Sequence, residues 1–213
     1  KYVEKSLKSL IRSAKNCMQN LSSLELKLLI VDDNSKVENL DKIQKIVDGS
    51  SLSYEILKHD RSKYKNKIKN QKTQDTFSNL SSLLTSFNFA KEQANDLIFF
   101  VEDDYLHFES MMEEMIATYE RIATQFKRDI FMCPADYPYL YMNNEKTNII
   151  IGNRRHWRTI NKSLCTFMTT KTLLDKYWNN FYNTCLDRND PFEKYLNEIY
   201  KKEICISPLK SLS

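Results

Sequence analysis

The sequence predicts an α/β fold, a three-layer sandwich around a mostly parallel sheet, and three observations carry that prediction. Segments of helical period alternate with short strand-like runs from the start of the chain to about residue 133. Two of those runs, 26–31 (LKLLIV) and 97–101 (LIFFV), are almost continuously apolar, as strands covered on both faces are. Both run straight into clusters of carboxylates, Asp32-Asp33 and Glu102-Asp103-Asp104, at the edge where open α/β sheets bind ligands.

Taken in order, residues 2–16 read as an amphipathic helix, because Val3, Leu7, Leu10, Ile11 and Ala14 recur at helical spacing. The strand at 26–31 stops at the turn residues Asp-Asp-Asn-Ser. Val37, Leu40, Ile43 and Val47 mark a second helix, and 54–57 a second strand that runs into His59-Asp60-Arg61. Residues 62–74 are rich in Lys, Asn and Gln with few apolar anchors, which predicts a loop of some helical character. Leu80, Leu83, Leu84, Phe87 and Ala90 give the helix at 77–94 its stripe. A helix at 110–126 is expected to be capped by Ser110 with Glu113 three residues on.

The second half is less regular. Strands are expected at 129–133, 148–151 and 163–169, with a Tyr-rich loop between the first two. Helices follow at 171–182 and 191–202, and a last strand at 204–206 stops before Pro208. No internal repeat or Pro/Gly-rich linker divides the chain. The reading is one domain over 1–213, with a nucleotide-binding half to about residue 133 and an acceptor-binding half over 134–213.

Composition narrows the chemistry. With 2 Gly in 213 residues, the glycine-rich cradles that hold phosphates in Walker and dinucleotide sites have no material to form from. Asn is expected to stand in for Gly at left-handed turn positions. A formal net charge of +4 argues against a dedicated nucleic-acid binder while permitting small anionic ligands. The 5 Cys are scattered, with no Cys-x-x-Cys, which argues against a zinc knuckle or a disulfide framework and favours a reducing, cytoplasmic setting. No apolar run is long enough to span a bilayer, and no secretory leader opens the chain; peripheral membrane association stays open.

Parallel neighbours would place Asp32, Asp33, Glu102, Asp103 and Asp104 along one edge, where like charges repel unless a cation or donor offsets them. Carboxylate oxygens suit Mg²⁺ or Mn²⁺, and such an ion takes further ligands from substrate phosphates. The implied ligand is a nucleoside diphosphate derivative.

The YVEKS opening, LLIVDDNS and VEDD together resemble the GT-A glycosyltransferases, specifically the large inverting family 2. The resemblance covers residues 2–206, strongest before Tyr105. It implies a metal-dependent transfer of sugar from a nucleotide-diphosphate donor to a glycan, lipid or protein acceptor. By that likeness Asp33 would hold the nucleotide base, with Asp32 nearby and Ser35 shaping the turn. Asp103 would approach the ribose or metal, and Asp104, with Glu102, would coordinate the ion. Asp190 would be the general base, at the start of the helix beginning at Pro191; Asp187 and Glu193 are its rivals. Family members carry a strand before the first helix, so the chain reads as a fragment lacking that strand, and Glu102 stands where the family has Asp.

Other residues admit two readings. Asp60 and Arg61 line a nucleotide rim or form a surface turn. Arg154, Arg155, His156 and Arg158 bind a diphosphate or anionic acceptor, or are simply solvated; Trp157 stacks on a sugar or is core. Tyr137, Tyr139 and Tyr141 give a strand or extended loop one aromatic face, or line an acceptor cleft. His107 is a metal ligand or, more in keeping with its place, a partly exposed residue entering a helix. Lys63, Lys65, Lys67 and Lys69 form a solvated loop. Two other functions compete with the transferase: a nucleotidyltransferase of similar fold, and a non-catalytic binding domain.

Overall fold

A computed structural model describes residues 2–69, 73–142 and 144–213. The helices are α1 (Tyr2–Asn20), α2 (Val37–Asp48), α3 (Gln74–Gln93), α4 (Met111–Phe126), α5 (Lys171–Lys176), α6 (Trp178–Thr184) and α7 (Lys194–Ile199). The strands are β1 (Lys27–Asp32), β2 (Ser53–Lys58), β3 (Leu97–Phe100), β4 (Phe131–Met132), β5 (Ile149–Ile151), β6 (His156–Ile160), β7 (Phe167–Thr170) and β8 (Cys205–Pro208). Residues 70–72, inside the expected Lys-rich loop, lie outside the described residues; Arg61–Tyr64 before them is a 3₁₀ turn.

The architecture is mixed α/β with two sheets. β1 and β2 pair in parallel, and six further strands run in the order β3-β7-β4-β8-β6-β5. The expectation of a mostly parallel sheet fails for the larger one, where β4–β8 is the only parallel ladder among the described residues. Apolar runs report that a strand is buried; they carry no information on its direction. β7 enters between β3 and β4 and runs against both.

Side chains alternate between two cores across the large sheet. Phe100, Phe131, Phe167 and Cys205 join α3, α6 and α7 on one face, with Phe181 at the centre of an aromatic cluster. Phe99, Met132, Met168 and Ile206 join Met111 and Met115 of α4 and Cys17 of α1 on the other. Both cores draw on residues from either side of position 134, so no packing seam follows the expected division into halves. A third core sets Leu7 and Ile11 of α1 against α2, β1 and β2. α1 thus serves both sheets on one face. α3 serves both on the other, sharing a core with β3 and contacting β1.

Local rules account for most element ends. Asn34, in the left-handed region at φ 59°, closes the turn after β1, as expected of Asn in a glycine-poor chain. The other left-handed residues are Ser51, Lys127 and Lys210. Ser110 precedes α4 without a side-chain capping bond, against expectation. The expected helix at 171–182 breaks at Tyr177, whose hydroxyl reaches Glu203 at 2.6 Å. β8 runs through Pro208, which sits at the strand's final position opposite Trp157.

Candidate functional site

Both carboxylate-tipped strands end on the same side of the molecule, and α3 serves as the ruler. Ser78, early in α3, donates to Asp33, while Lys27 at the far end of β1 lies 5.3 Å from the ring of Phe89, late in α3. β1 therefore runs antiparallel to α3. β3 follows α3 directly and folds back along it, Phe100 meeting Phe87 edge-on at 4.9 Å. β1 and β3 thus point the same way, both toward the N-terminal end of α3.

At that end the side chains form two groups. In the first, Asp32 is buried and accepts from the Ser35 backbone N–H at 3.3 Å, so both residues shape the turn, as Asp does in such turns. Asp33 makes a fork-on-fork pair with Arg61, Oδ1 to Nε at 2.6 Å and Oδ2 to Nη2 at 2.8 Å, and also accepts from Ser78. Beneath them His59 is buried against Ser81 and Thr85 and stacks on Tyr64. Burial lowers its pKa, with Asp33 pulling the other way. Asp60 caps the 3₁₀ turn through Ser62, whose hydrogen bonds lower its pKa. Arg61 is therefore held in the site, and Asp60 belongs to the turn.

The second group surrounds Glu102. Its backbone N–H donates to Thr166 Oγ1 at 3.0 Å, and that hydroxyl returns a bond to Oε2 at 3.1 Å. The carboxyl keeps contact with solvent, yet enough protein surrounds it that burial raises its pKa; Thr166 opposes this, and Asp104, Glu193 and Asp103 add to it. Burial raises Glu193 as well. Alongside, Tyr105 and Tyr137 share a 2.6 Å hydroxyl contact, and Tyr137 stacks on Tyr139 at 5.4 Å. Burial pushes Tyr105 up to about 12 and raises Tyr139, whose buried hydroxyl has no partner among the described residues. The expected single aromatic face is therefore a stacked pair, while Tyr141 turns away to Asp136 and Arg158.

Among the described residues no three His, Cys, Asp or Glu side chains stand close enough to hold a metal ion by themselves. Glu102 and Asp104 remain a donor set that a hard cation would complete with phosphate oxygens and water. Burial does most to raise Glu102; the smaller like-charge contribution of Asp104, Glu193 and Asp103 is what such a cation would relieve.

Several expected site residues are placed elsewhere. Asp190 lies in an exposed turn before a cis Asp190–Pro191 bond, and the helix after it begins at Lys194, with Glu193 at its cap. Of the three candidate bases, Glu193 is the one whose charge acts on Glu102. Trp157 is fully buried, its Nε1–H donating to Glu114 at 3.3 Å, so it is core and stacks on no sugar. Arg155 donates to the carbonyls of Lys210 and Ser211, Arg154 pairs with Glu113, and Arg158 is buried against Asp136. The basic segment is a strand and turn whose guanidinium groups have internal partners; Arg154 and His156 are its exposed members, His156 on β6 opposite Ile151. His107 is buried, not partly exposed, and bonds Ser213. Thr166 and Tyr105 escaped sequence reasoning because nothing local marks them; Tyr137 carried a signal in the Tyr alternation, and Glu193 as an acid beside a helix start.

No protein-family model matches this chain, and a sequence comparison with curated proteins returns no match.

Proposed function

We propose that the chain transfers a sugar from a nucleotide-diphosphate donor to an acceptor hydroxyl on a GT-A-type fold. The observation that carries this reading is the emergence of β1 and β3, each tipped with carboxylates, at one end of α3. Asp33, fixed by Arg61 and Ser78, has about one of its roughly four lone-pair sites left for a donor on the nucleotide base. Asp103 would face the ribose. Asp104 and Glu102 would hold Mn²⁺ or Mg²⁺, which, bound, supplies Lewis-acid stabilisation of the departing diphosphate.

In the transfer, the acceptor oxygen forms a bond to the anomeric carbon as the bond from that carbon to the diphosphate oxygen breaks. The electron pair leaves on the diphosphate, and the acceptor proton passes to a carboxylate base. Glu193 is favoured over Asp190 for that base because its charge acts on Glu102 and burial raises its pKa, and a raised pKa suits a proton acceptor. Inversion at the anomeric carbon rests on the family likeness alone. A second reading, a nucleotide-binding domain without turnover, draws on the near-saturation of Asp33 by Arg61 and Ser78.

Isothermal titration with UDP, with and without Mn²⁺, tests the proposal. The expected result is metal-dependent binding that Asp104→Ala abolishes. Binding that is indifferent to both the metal and Asp104 would overturn the metal assignment. Metal-dependent binding without hydrolysis or transfer of any UDP-sugar would favour the second reading.

A further inference from the structure

α1 presents a line of exposed cations. Lys5, Lys8, Arg12 and Lys15 recur at three- and four-residue spacing along its solvent side, opposite the side of the buried Leu7 and Ala14. Lys8, Arg12 and Lys15 line a cavity of ≈ 520 Å³ between α1 and α2, joined there by Lys45 and by one acid, Glu109. Among the described residues Lys5, Lys8, Lys15 and Lys45 have no acidic partner, and Arg12 meets Glu109 only at 3.9 Å, with both side chains more than half exposed. Such a pair is screened and holds Arg12 weakly.

Beside this line stand two large apolar side chains in water. Leu106 is 59% and Phe108 55% exposed, on either side of the buried His107. The segment is pinned to α1 and to the chain's last residues. The N–H of His107 donates to Ser9 Oγ at 3.0 Å, that of Phe108 to the Leu212 carbonyl at 2.9 Å, and that of Met112 to Ser13 Oγ at 2.9 Å. Leu106 and Phe108 are therefore displayed by an ordered backbone. Tyr2, 80% exposed, adds an aromatic ring at the start of the same helix. Asp103 and Asp104 border the patch and limit it on that side.

We propose that this face docks on an anionic lipid surface, with Lys5, Lys8, Arg12 and Lys15 against the headgroups and Leu106 and Phe108 entering the interface. Charge complementarity selects a polyanion, and the adjoining apolar pair selects a bilayer among polyanions, since phosphodiester backbones offer Leu and Phe nothing to enter. The inference is independent of the transferase reading: it would hold for any activity at the acidic end.

The test is sedimentation of the full chain with vesicles of phosphatidylcholine alone or of phosphatidylcholine and phosphatidylserine in equal parts. Binding is expected on the mixed vesicles only, and to weaken with salt. Each cation near the surface is worth about 5-fold in partitioning, so Lys8→Gln with Arg12→Gln should cost about 25-fold. Leu106→Ser with Phe108→Ser should weaken vesicle binding and leave retention on a heparin column, a polyanion with no bases for Phe to stack on, unchanged. Circular dichroism melts matching the parent would confirm that the variants fold. Equal binding to neutral vesicles, no binding to either, or vesicle binding untouched by the Leu106/Phe108 pair would each overturn the proposal.

Discussion

His107 should make this protein acid-labile by an amount the structure sets. Its ring is 3% exposed, Nδ1 meets Ser213 Oγ at 2.8 Å, and Nε2 has no partner among the described residues. With no carboxylate among the described residues to stabilise an imidazolium, burial lowers the pKa from 6.5 to about 4. A folded pKa below the unfolded one means that the unfolded chain binds the proton more tightly. The stabilisation is therefore complete above the unfolded value of 6.5 and is lost as pH falls from there to about 4. At about 1.4 kcal/mol per tenfold change in proton affinity, the full loss is about 3 kcal/mol, of which about 2.5 kcal/mol has gone by about pH 4.5. Against a domain stability of roughly 5–15 kcal/mol this is a large share. Urea unfolding of the parent and of His107→Gln, each at about pH 7.5 and about pH 4.5, isolates the effect, because His59 and the carboxylates contribute equally to both proteins. The parent should lose about 2.5 kcal/mol more than the variant across that interval. Equal losses would refute the reasoning and imply that water or a rearranged loop solvates Nε2.

Two further perturbations probe the packing. A Cβ at Gly152 would lie 2.4 Å from Trp157 Cδ1 and Nε1 and 2.7 Å from Thr118 Oγ1, all in buried residues. Gly152→Ala should therefore destabilise by about 1–3 kcal/mol in denaturant unfolding and shift the Trp157 emission; an unchanged midpoint would show that the turn relaxes freely. Glu203 is nearly buried, and burial alone would raise its pKa, but Lys176, Tyr177 and Arg128 outweigh it and bring it below 4.5. Its stabilisation is present above 4.5 and is lost as pH falls through the lowered folded value. Glu203→Gln should cost about 1–2 kcal/mol at neutral pH, since Lys176 and Arg128 are half-exposed and can resolvate, and should flatten the melting temperature's decline below about pH 4.5.

Which parts of the molecule could be read in advance follows from where their determinants lie. α1, α2, α3 and α4 each carry an apolar stripe within one segment, and β1 and β3 are apolar runs closed by acids, so all six were legible. β6 was not. His156-Trp157-Arg158 reads as a charged loop because the partners that bury it, Asp136 for Arg158 and Glu114 for Trp157, lie 22 and 43 residues away. A buried Arg is tolerated only where such a partner exists, and sequence spacing does not reveal one. The split between α5 and α6 likewise depends on Glu203, distant in sequence from Tyr177. At the candidate site the strand-tip acids were visible as residue types. Their division into an Arg61-locked Asp33 and a Thr166-bonded Glu102 was not, because it depends on which loops converge.

β1 and β3 each leave one edge without a strand partner among the described residues, and no backbone ladder joins the small sheet to the large one. What couples them is the side-chain packing of α1 and α3, laid across both like two beams over a joint. Backbone ladders resist shear because sliding breaks hydrogen bonds, whereas interdigitated side chains permit small displacements at modest cost. The separation between the Asp33 and Asp104 tips is thus a mechanical coordinate of the molecule. Whatever grips both tips at once also sets the angle between the two sheets.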